Sequence, residues 1–317
     1  LVPSNPRQRE FLELRKRLNK LEGLVSKYLQ KMQDCCVDND GILRASFNQT
    51  ITATHRLSSS GKVYNIQLQN VNSNLKPLFK ARKEGYVIME VDYSQLEFRI
   101  AVDLCNDTQG KKDIASGHDV HAFTATTLFD EFEGADKALQ KKLRRQAKAS
   151  TFRPLFGGSS GTAREKKYFA EFLKRYKDVK RTQEGWIDEV VSSLNKELVL
   201  PTGLRFFYPK AKLTNSGYIE ESTRIKNAPI QCFASAEVTL GAVKLMWDAL
   251  ETYDSFIVAT IHDSIILEVK WNEIEQVKVL AADVMQKQVV DYLDKLYNYR
   301  LDVPLDIEIE YGAHWGE

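Results

Sequence analysis

The sequence lacks the patterns that define several common protein classes. No apolar run approaches the roughly 18 residues of a membrane span, and the opening LVPSNPRQRE has no signal-peptide core. The four cysteines, Cys35, Cys36, Cys105 and Cys232, include an adjacent pair and no CxxC spacing, which argues against a zinc site and a disulfide framework. We therefore expect a soluble protein from a reducing compartment, with no membrane association.

A strong excess of charge of either sign is also missing. The 317 residues carry a formal net charge of +2 at pH 7, so the total charge identifies no class of partner. Hydrophobic residues make up 43% and charged residues 28%, a composition that is typical of a globular chain and excludes extensive disorder. The length allows one large domain or two closely packed ones.

The spacing of apolar residues predicts blocks of helix and strand. In chain order it indicates amphipathic helix over 8–34, a strand over 85–93, helices from about 119 to 199 with a break at FGGSSG, a hairpin at Thr202-Gly203, a helix over 220–251, two strands joined at His262-Asp263, a helix to about 297 and a closing strand PLDIEIEY. There is no internal repeat. This order predicts an α+β core with a helical insertion.

Two aspartates border apolar strands that lie far apart in the chain. Asp92 ends the run YVIMEV, and Asp263 separates VATI from IILEV. A buried carboxylate is unfavourable unless it is paired, hydrogen-bonded or bound to metal, and two carboxylates brought together suit Mg²⁺. Alternatively, each aspartate simply ends a strand or begins a turn, and the local context leaves both interpretations open.

A basic segment, KKLRRQAKASTFRPLFGG, sets two cations and two aromatic rings four residues apart. These residues are Arg144, Lys148, Phe152 and Phe156. On one α-helix they would share a gently spiralling face, which can hold a polyphosphate and stack a base or sugar. A solvated basic helix with its phenylalanines in the core would show the same spacing. Pro154 predicts a kink near residues 150–154.

Five segments occur in an order and spacing that no single chance match would give. They are TATHRLSSS (52–60) followed by LQN (68–70), VDYSQLEFR (91–99), RRQAKASTF (144–152), HDS (262–264) and the C-terminal VPLDIEIEYGAHWGE. The set resembles the family A DNA polymerases, the DNA polymerase I family. The second, third and fourth segments resemble its motifs A, B and C, the first its primer-side palm segment and the fifth its closing strand. The resemblance covers nearly everything from residue 48 onward.

The resemblance assigns the chemistry to the two aspartates and the basic segment. It implies that Asp92 and Asp263 bind two Mg²⁺ ions, for which Mn²⁺ could substitute, with the backbone carbonyl of Tyr93 as a further ligand. It places Arg144 and Lys148 on the triphosphate of the incoming nucleotide, and it counts Lys148 with the two aspartates as catalytic.

Other residues acquire roles around the nucleotide and the primer. The resemblance implies that His121 contacts a phosphate, Phe152 packs on the sugar and base, Phe156 lies where the template base enters, Gln95 borders the nucleotide and Glu97 closes the pocket against a ribose 2′-hydroxyl. Arg56, Asn227, Gln231 and His262 would line the minor groove at the primer terminus. His121 could instead be a surface histidine, and Asn227 and Gln231 ordinary polar residues of a helix.

The sequence departs from the family pattern at several positions. His55 stands where the family usually has glycine, and Arg153-Pro154 replace a glycine and an aliphatic residue. Phe156 replaces a tyrosine, and Ser264 replaces the glutamate of motif C. The change at 264 leaves both metal-binding aspartates in place but makes their surroundings less negative.

The implied fold is α+β: a right-hand polymerase with an antiparallel β palm, helical fingers and a partial helical thumb. The implied boundaries are a thumb remnant at 1–47, the palm at 48–117 and 225–317, and the fingers at 118–224. The segment before residue 48 is too short for a whole thumb, and no segment resembles a proofreading exonuclease. We therefore expect no exonuclease in this chain, and either a fragment of a longer protein or a minimal enzyme.

The implied activity is template-directed extension of a primer 3′ end with deoxynucleoside triphosphates. Expected partners are primer-template DNA and these nucleotides, with further domains or replication proteins compatible with the sequence. The lysine-rich, divergent chain suggests a phage-type enzyme in the cytoplasm of a bacterial host. Two alternatives remain open: a single-subunit RNA polymerase, although Glu97 favours the DNA-making branch, and a catalytically silent DNA-binding module, for which the short thumb and Ser264 argue.

Overall fold

The computed structural model of the chain describes residues 5–60, 64, 66–215 and 217–316. Across these ranges it contains one four-stranded antiparallel sheet, two short two-stranded sheets and twelve α-helices. The predicted α+β class is therefore confirmed. No helix in the same ranges is both long and apolar enough to cross a bilayer.

The elements follow the predicted order. The helices are α1 (Pro6–Leu24), α2 (Gln30–Asp38), α3 (Leu96–Leu104), α4 (Thr108–Ala115), α5 (Val120–Leu128), α6 (Lys137–Thr151), α7 (Ala163–Arg175), α8 (Lys177–Ser192), α9 (Ser222–Cys232), α10 (Leu240–Ala249), α11 (Ile274–Asp283) and α12 (Val289–Tyr297). The strands are β1 (Ser46–Asn48), β2 (Ser58–Ser60), β3 (Tyr86–Tyr93), β4 (Glu197–Val199), β5 (Arg205–Phe207), β6 (Phe256–Ile261), β7 (Ser264–Lys270) and β8 (Ile307–Gly312). Wider π-helical turns at Val25–Leu29, Phe233–Thr239 and Val284–Gln288 join α1 to α2, α9 to α10 and α11 to α12.

The four-stranded sheet has the order β6-β7-β3-β8, so its two central strands come from distant parts of the chain. Its central strands are almost continuously apolar because both faces of the sheet are covered along much of their length. In β3, Val87, Met89 and Val91 face the main core, while Glu90 and Asp92 alternate to the opposite face. This alternation places Asp92 at the end of the strand, on the face that bears the other acidic groups.

The main hydrophobic core lies between this sheet and the helices. Around Phe98 on α3, a cluster of aromatic rings joins α3 to α7 and to the residue between α7 and α8, with Phe172 and Tyr176 in contact with one another at 4.7 Å between ring centres. Several helices of the middle third begin at residues whose side chains accept from backbone N–H groups. Those residues are Asp107, Asp119, Asp136 and Thr162.

The short β4–β5 hairpin confirms the turn predicted at Thr202-Gly203. Gly203 adopts φ +81°, a conformation that residues with a Cβ atom rarely take. The four cysteines are free thiols, and three of them are buried, in agreement with the expected absence of disulfides.

Candidate active site

The structure brings the two aspartates together. Asp92 at the end of β3 is paired in the sheet with Ser264, the residue that follows Asp263. The backbone N–H of Tyr93 donates to the carbonyl of Asp263 at 3.4 Å. The strand and the turn that carry the two carboxylates are therefore neighbours in the sheet, although 171 positions separate them in the sequence.

The turn that carries Asp263 is held in place from a separate segment. His262 adopts φ +54°, and its backbone N–H donates to the side-chain oxygen of Gln69 at 2.8 Å. The side-chain nitrogen of the same buried glutamine donates to the carbonyl of Thr260 at 2.7 Å. Gln69 therefore fixes the end of β6 and the first residue of the β6–β7 turn, a role that sequence reasoning missed although the motif LQN was recognised.

The two carboxylates share an environment that opposes their ionisation. Burial raises the pKa of Asp92 to about 7, and the negative charges of Asp263 and Glu90 add to the increase. Burial also raises the pKa of Asp263, against the opposing effects of its own backbone N–H, Arg56 and His262. Half-buried carboxylates that repel one another are stabilised by a cation placed between them.

The donor set fits divalent magnesium or manganese. Both are hard cations that take carboxylate oxygens, and magnesium typically uses one or two carboxylates with water and substrate phosphates as its other ligands. Within the described ranges no cluster of three or more histidine, cysteine, aspartate or glutamate side chains could by itself hold a metal ion. Backbone carbonyl, water or substrate oxygens would therefore have to complete the coordination. The side chain of Tyr93 points away into the core, where its hydroxyl donates to the carbonyl of Met285 at 2.8 Å, so only its backbone remains for a ligand role.

A cation and a third carboxylate border the aspartates. The guanidinium of Arg56 forms an ion pair with Glu97 at the start of α3, and its Nε atom donates to the hydroxyl of Ser235 at 3.4 Å. Burial raises the pKa of Glu97; Arg56 opposes this effect and Asp263 adds to it. Gln95 immediately before α3 adopts φ +56°. The structure thus joins the predicted primer-side arginine to the predicted sugar-selecting glutamate, a contact that the sequence did not predict.

Helix α6 presents the predicted phosphate-binding cations. Lys148 is exposed and forms no ion pair within the described residues, whereas Arg144 donates from Nε to Asp119 at 2.6 Å. Asp119 also accepts from the backbone N–H groups of His121 and Ala122 at the start of α5. This carboxylate therefore sets the position of Arg144 relative to α5.

His121 is buried beside these cations. Its Nδ1 atom lies 3.0 Å from the hydroxyl of Thr151. Burial lowers the pKa of His121 to about 4, and the positive charges of Arg144 and Lys148 add to this effect. The ring is consequently neutral at pH 7 and can present a hydrogen bond to a phosphate oxygen without adding positive charge.

The predicted continuous face of Arg144, Lys148, Phe152 and Phe156 is wrong in its second half. Helix α6 ends at Thr151, with Phe152 as its C-cap, and residues 152–157 form turns rather than a kinked helix. Pro154 has no N–H group with which to continue the helix. Phe156 still follows Phe152 by one open turn, because its N–H donates to the Phe152 carbonyl at 3.3 Å.

The segment after α6 is bound to α7. Arg153 forms an ion pair with Glu165 at 2.9 Å, and the hydroxyl of Ser150 donates to the same carboxylate oxygen. The other oxygen of Glu165 accepts from the N–H of Thr162 in a capping box. The departure Arg153-Pro154 therefore ends α6 and attaches its end to the next helix.

Phe152 connects the nucleotide-binding face to the carboxylate site. Its ring stacks on Phe98 at 5.5 Å and contacts His121 edge-on at 5.4 Å. Phe98 directly follows Glu97 in α3, so the packing of these rings couples α6 to the aspartates. Asn227 and Gln231 lie half-buried on α9, and the Oδ1 atom of Asn227 is buried with no hydrogen-bond partner in the described part of the chain.

Two departures from the family pattern have direct structural counterparts. His55, which stands at a glycine position, adopts φ +56° and packs its ring 5.6 Å from Phe206 of the β4–β5 hairpin. The glycine preference at this position therefore follows from the backbone. Ser264 is buried, and its hydroxyl lies 3.3 Å from a carboxylate oxygen of Glu90, a residue that sequence reasoning did not select.

Comparison with known proteins agrees with this geometry. A family model described as DNA polymerase family A matches residues 4–317. The thermostable DNA polymerase I of Thermus filiformis is 30% identical over 318 residues, which cover 97% of this chain. DNA polymerase I of Mycobacterium bovis is 29% identical over 292 residues, which cover 87% of this chain.

The fold agrees as well. The chain is similar to the POL domain of Pol1 from M. smegmatis, solved in complex with DNA primer-template and dNTP, with a TM-score of 0.74 and 25% identity. The match covers 98% of this chain and 53% of that one. The chain spans 36% of the Thermus protein and 30% of the Mycobacterium bovis protein. The chain belongs to the family A DNA polymerases.

Proposed function

We propose that this chain is the polymerising part of a DNA-directed DNA polymerase, which extends a primer 3′ end with deoxynucleoside triphosphates on a template. The observation that carries the proposal is the convergence of Asp92 and Asp263 from distant segments at one end of the two central strands of the sheet. If each aspartate only ended a strand, nothing would explain why two half-buried carboxylates lie where they repel one another. Family membership and the bound primer-template of the Pol1 structure support this proposal.

The lobes take their names from this proposal. Residues 48–117 and 225–317 form the palm, since together they supply every strand of the four-stranded sheet. Residues 118–224 form the fingers, which contain α5 to α8 and the β4–β5 hairpin. Residues 1–47, with α1 and α2, form the part of the thumb present in this chain.

Asp92 and Asp263 would hold two divalent cations, with the Tyr93 carbonyl as a further ligand. Polymerases of this family use divalent metal ions, and magnesium with manganese as a substitute fits the oxygen donors present. When bound, the two ions supply the positive charge that activates the primer 3′-hydroxyl and stabilises the departing pyrophosphate. The raised pKa of Asp92 means that it must lose its proton before it can serve as a ligand.

The α6 face would bind the triphosphate. Lys148 is exposed and has no ion-pair partner among the described residues, so it can bind a phosphate without breaking an ion pair found there. Arg144 would approach the triphosphate while Asp119 keeps it oriented, and neutral His121 would add a hydrogen bond. Lys148 is counted as catalytic because its charge would lie where negative charge develops on the leaving group.

The remaining residues would select and place the substrates. Phe152 packs beneath the sugar and base, with Phe156 at the entry of the template base. Glu97, beside Gln95, occupies the volume that a ribose 2′-hydroxyl needs. Residues that would line the primer terminus are Arg56, Asn227, Gln231 and His262. The buried Oδ1 of Asn227, which has no partner in the described part of the chain, is free to accept a hydrogen bond after a local rearrangement.

The test is primer extension with Mg²⁺ and all four deoxynucleotides. The wild-type chain should extend the primer, and Asp92→Asn or Asp263→Asn should abolish extension while primer-template affinity stays within a few-fold, because each change removes a metal ligand and no DNA contact. Asp254→Asn is the matched control, since Asp254 precedes β6 and is exposed in an ion pair with Lys270. A wild-type chain that binds DNA without extending it, or more than a few percent of activity in either variant, would overturn the proposal.

A further inference from the structure

The third motif of this chain lacks a carboxylate that its family usually has. Ser264 occupies that position on β7, directly opposite Asp92 of β3. Its side chain is buried and cannot be replaced by a bulkier one without displacing its neighbours. The hydroxyl lies 3.0 Å from the Ile261 carbonyl and 3.3 Å from Glu90, so one hydroxyl proton is shared between the turn and a carboxylate on the next strand.

Glu90 lies two residues before Asp92 on β3, so both side chains project from the same face of the sheet. One of its carboxylate oxygens accepts from Lys76 at 2.7 Å and from the indole N–H of Trp315 at 2.6 Å. The other faces Ser264. Three side chains from three different segments therefore fix this carboxylate, and its side chain is only 12% exposed.

Other acidic residues on this face lack such a setting. Glu308 and Glu310 of β8 are paired with Asp92 and Glu90 in the sheet, but both are exposed. A carboxylate in solvent is screened by water and mobile ions. Glu268 of β7 is paired with Ile88 and lies buried on the same face, but among the described residues only one of its oxygens has a donor, the guanidinium of Arg82. Among the described carboxylates on this face, Glu90 is thus the one that is partly buried and accepts on both of its oxygens.

We propose that Glu90 is a positioning residue of the metal site, which supplies from β3 the carboxylate that the third motif lacks, with Ser264 as the donor that orients it. This inference rests on the proposed function of Asp92 and Asp263 as metal ligands. The negative charge that the family usually has on β7 is thus supplied in this chain from the adjacent strand, β3. The Lys76–Glu90 ion pair limits that charge, so Glu90 acts on the ions through the neighbouring Asp92 and not as a direct ligand.

The test measures Mn²⁺ binding in a complex that cannot turn over. The full chain is mixed with a primer-template that ends in a dideoxynucleotide and with the next correct deoxynucleotide, and bound Mn²⁺ is counted by electron paramagnetic resonance. Glu90→Gln preserves the side-chain volume and should weaken Mn²⁺ binding about tenfold, as changes to groups behind metal ligands commonly do. Glu90→Asp, which preserves the charge, should recover most of the affinity.

Glu310→Gln is the matched control. It removes the same charge from the same face, directly opposite Glu90, and should shift Mn²⁺ affinity less than twofold if position and not total charge decides. An equal effect of Glu90→Gln and Glu310→Gln would overturn the proposal. So would a Glu90→Gln variant that melts at a lower temperature but binds Mn²⁺ like the wild type, because Glu90 would then serve only the Lys76 ion pair.

A further variant covers the case in which Glu90→Gln does not fold. Ser264→Ala removes only the hydroxyl that faces Glu90, and it should weaken Mn²⁺ binding by a measurable two- to threefold, roughly the effect of one weak hydrogen bond. Unchanged affinity in Ser264→Ala would then overturn the proposal. Asp92→Asn is measured in parallel. Unchanged Mn²⁺ binding in that variant would contradict the proposed role of Asp92 as a metal ligand, and with it the proposed function.

Discussion

Without a bound metal ion, the half-buried Asp92 carboxylate should lower the free energy of unfolding. Its pKa of about 7 exceeds the ordinary value of 3.8, so the folded chain holds this proton more tightly than the unfolded chain does. The free energy of unfolding should therefore fall as the pH rises between these two values, and the cost should persist at higher pH. Such a trade of stability for reactivity is common at functional sites.

This argument predicts that Asp92→Asn stabilises the metal-free protein while it abolishes extension. Urea unfolding in the presence of EDTA should show a gain of the order of 2 kcal/mol at pH 8, discounted for the partial exposure of the carboxyl, and little gain near pH 4. Mg²⁺ should raise the melting temperature of the wild type and not that of the variant. A variant less stable than the wild type at pH 8 would show that Asp92 is held by interactions other than the site's repulsion.

Glu97 carries two proposed functions, because its carboxylate both fills the sugar pocket and pairs with Arg56. Glu97→Ala should raise the ratio of ribonucleotide to deoxynucleotide kcat/KM about tenfold to hundredfold, since relief of overpacking is worth roughly 1 to 3 kcal/mol. It should also weaken the primer complex, because Arg56 loses its partner. Glu97→Gln keeps the volume and loses the charge.

The comparison of the two Glu97 variants separates these functions. Glu97→Gln should retain most of the discrimination against ribonucleotides yet share the loss of primer affinity. The measurements are kcat/KM for each nucleotide type and the Kd for primer-template. An unchanged nucleotide ratio in Glu97→Ala would place the steric barrier elsewhere, for example on the Phe152 ring.

At the scale of elements, the proposed function of α6 depends on its exposed cations and on the contacts that hold its C-terminal end. Its cations face the proposed triphosphate site, and its C-terminal end is bound to α7 through Arg153 and Glu165. Lys148→Ala should therefore raise the nucleotide KM or lower kcat by about tenfold to a hundredfold, the effect of one charge-assisted phosphate contact worth roughly 1.5 to 3 kcal/mol.

Lys142 provides the control for this prediction. It is exposed on the same helix but lies about 200° around the axis from Arg144, since successive residues turn by about 100°. Lys142→Ala should leave the kinetics unchanged at the salt concentration used. Equal losses in both variants would indicate a general electrostatic effect. No loss in either variant would support the alternative interpretation, in which α6 is a solvated basic helix that does not bind phosphate.

The sequence predicted elements better than it predicted the contacts between them. The strands β3, β6 and β7 were predictable because apolar runs of strand length end at aspartate, glycine or asparagine. The end of α6 was not, because a proline can kink a helix or end it, and the Arg153–Glu165 contact that accompanies the end is made with a residue of the next helix. The Arg56–Glu97 and Ser264–Glu90 contacts depend on tertiary packing and strand register, which no local pattern contains.

At the scale of the whole molecule, a small set of rings joins the proposed palm to the proposed fingers. Phe98 on α3 contacts Phe152 after α6 as well as Phe172 on α7. Movement of α6 toward the carboxylates must therefore repack these rings. A correctly paired nucleotide can drive that movement only if it binds the closed arrangement more tightly than the open one.

Amide hydrogen exchange tests this coupling and the proposed boundary of the fingers at 118–224. With a dideoxy-terminated primer-template, the correct nucleotide should increase protection in α6, in the turns at 152–157 and at the start of α5. A mismatched nucleotide at the same saturation should not, if closure of the proposed fingers tests base-pair shape. Helix α11 in the palm is the internal control and should exchange alike in both complexes. Equal protection of α6 by matched and mismatched nucleotides would assign selection to a later step, and protection spread evenly over α6 and α11 would mean that the fingers do not move as a separate unit.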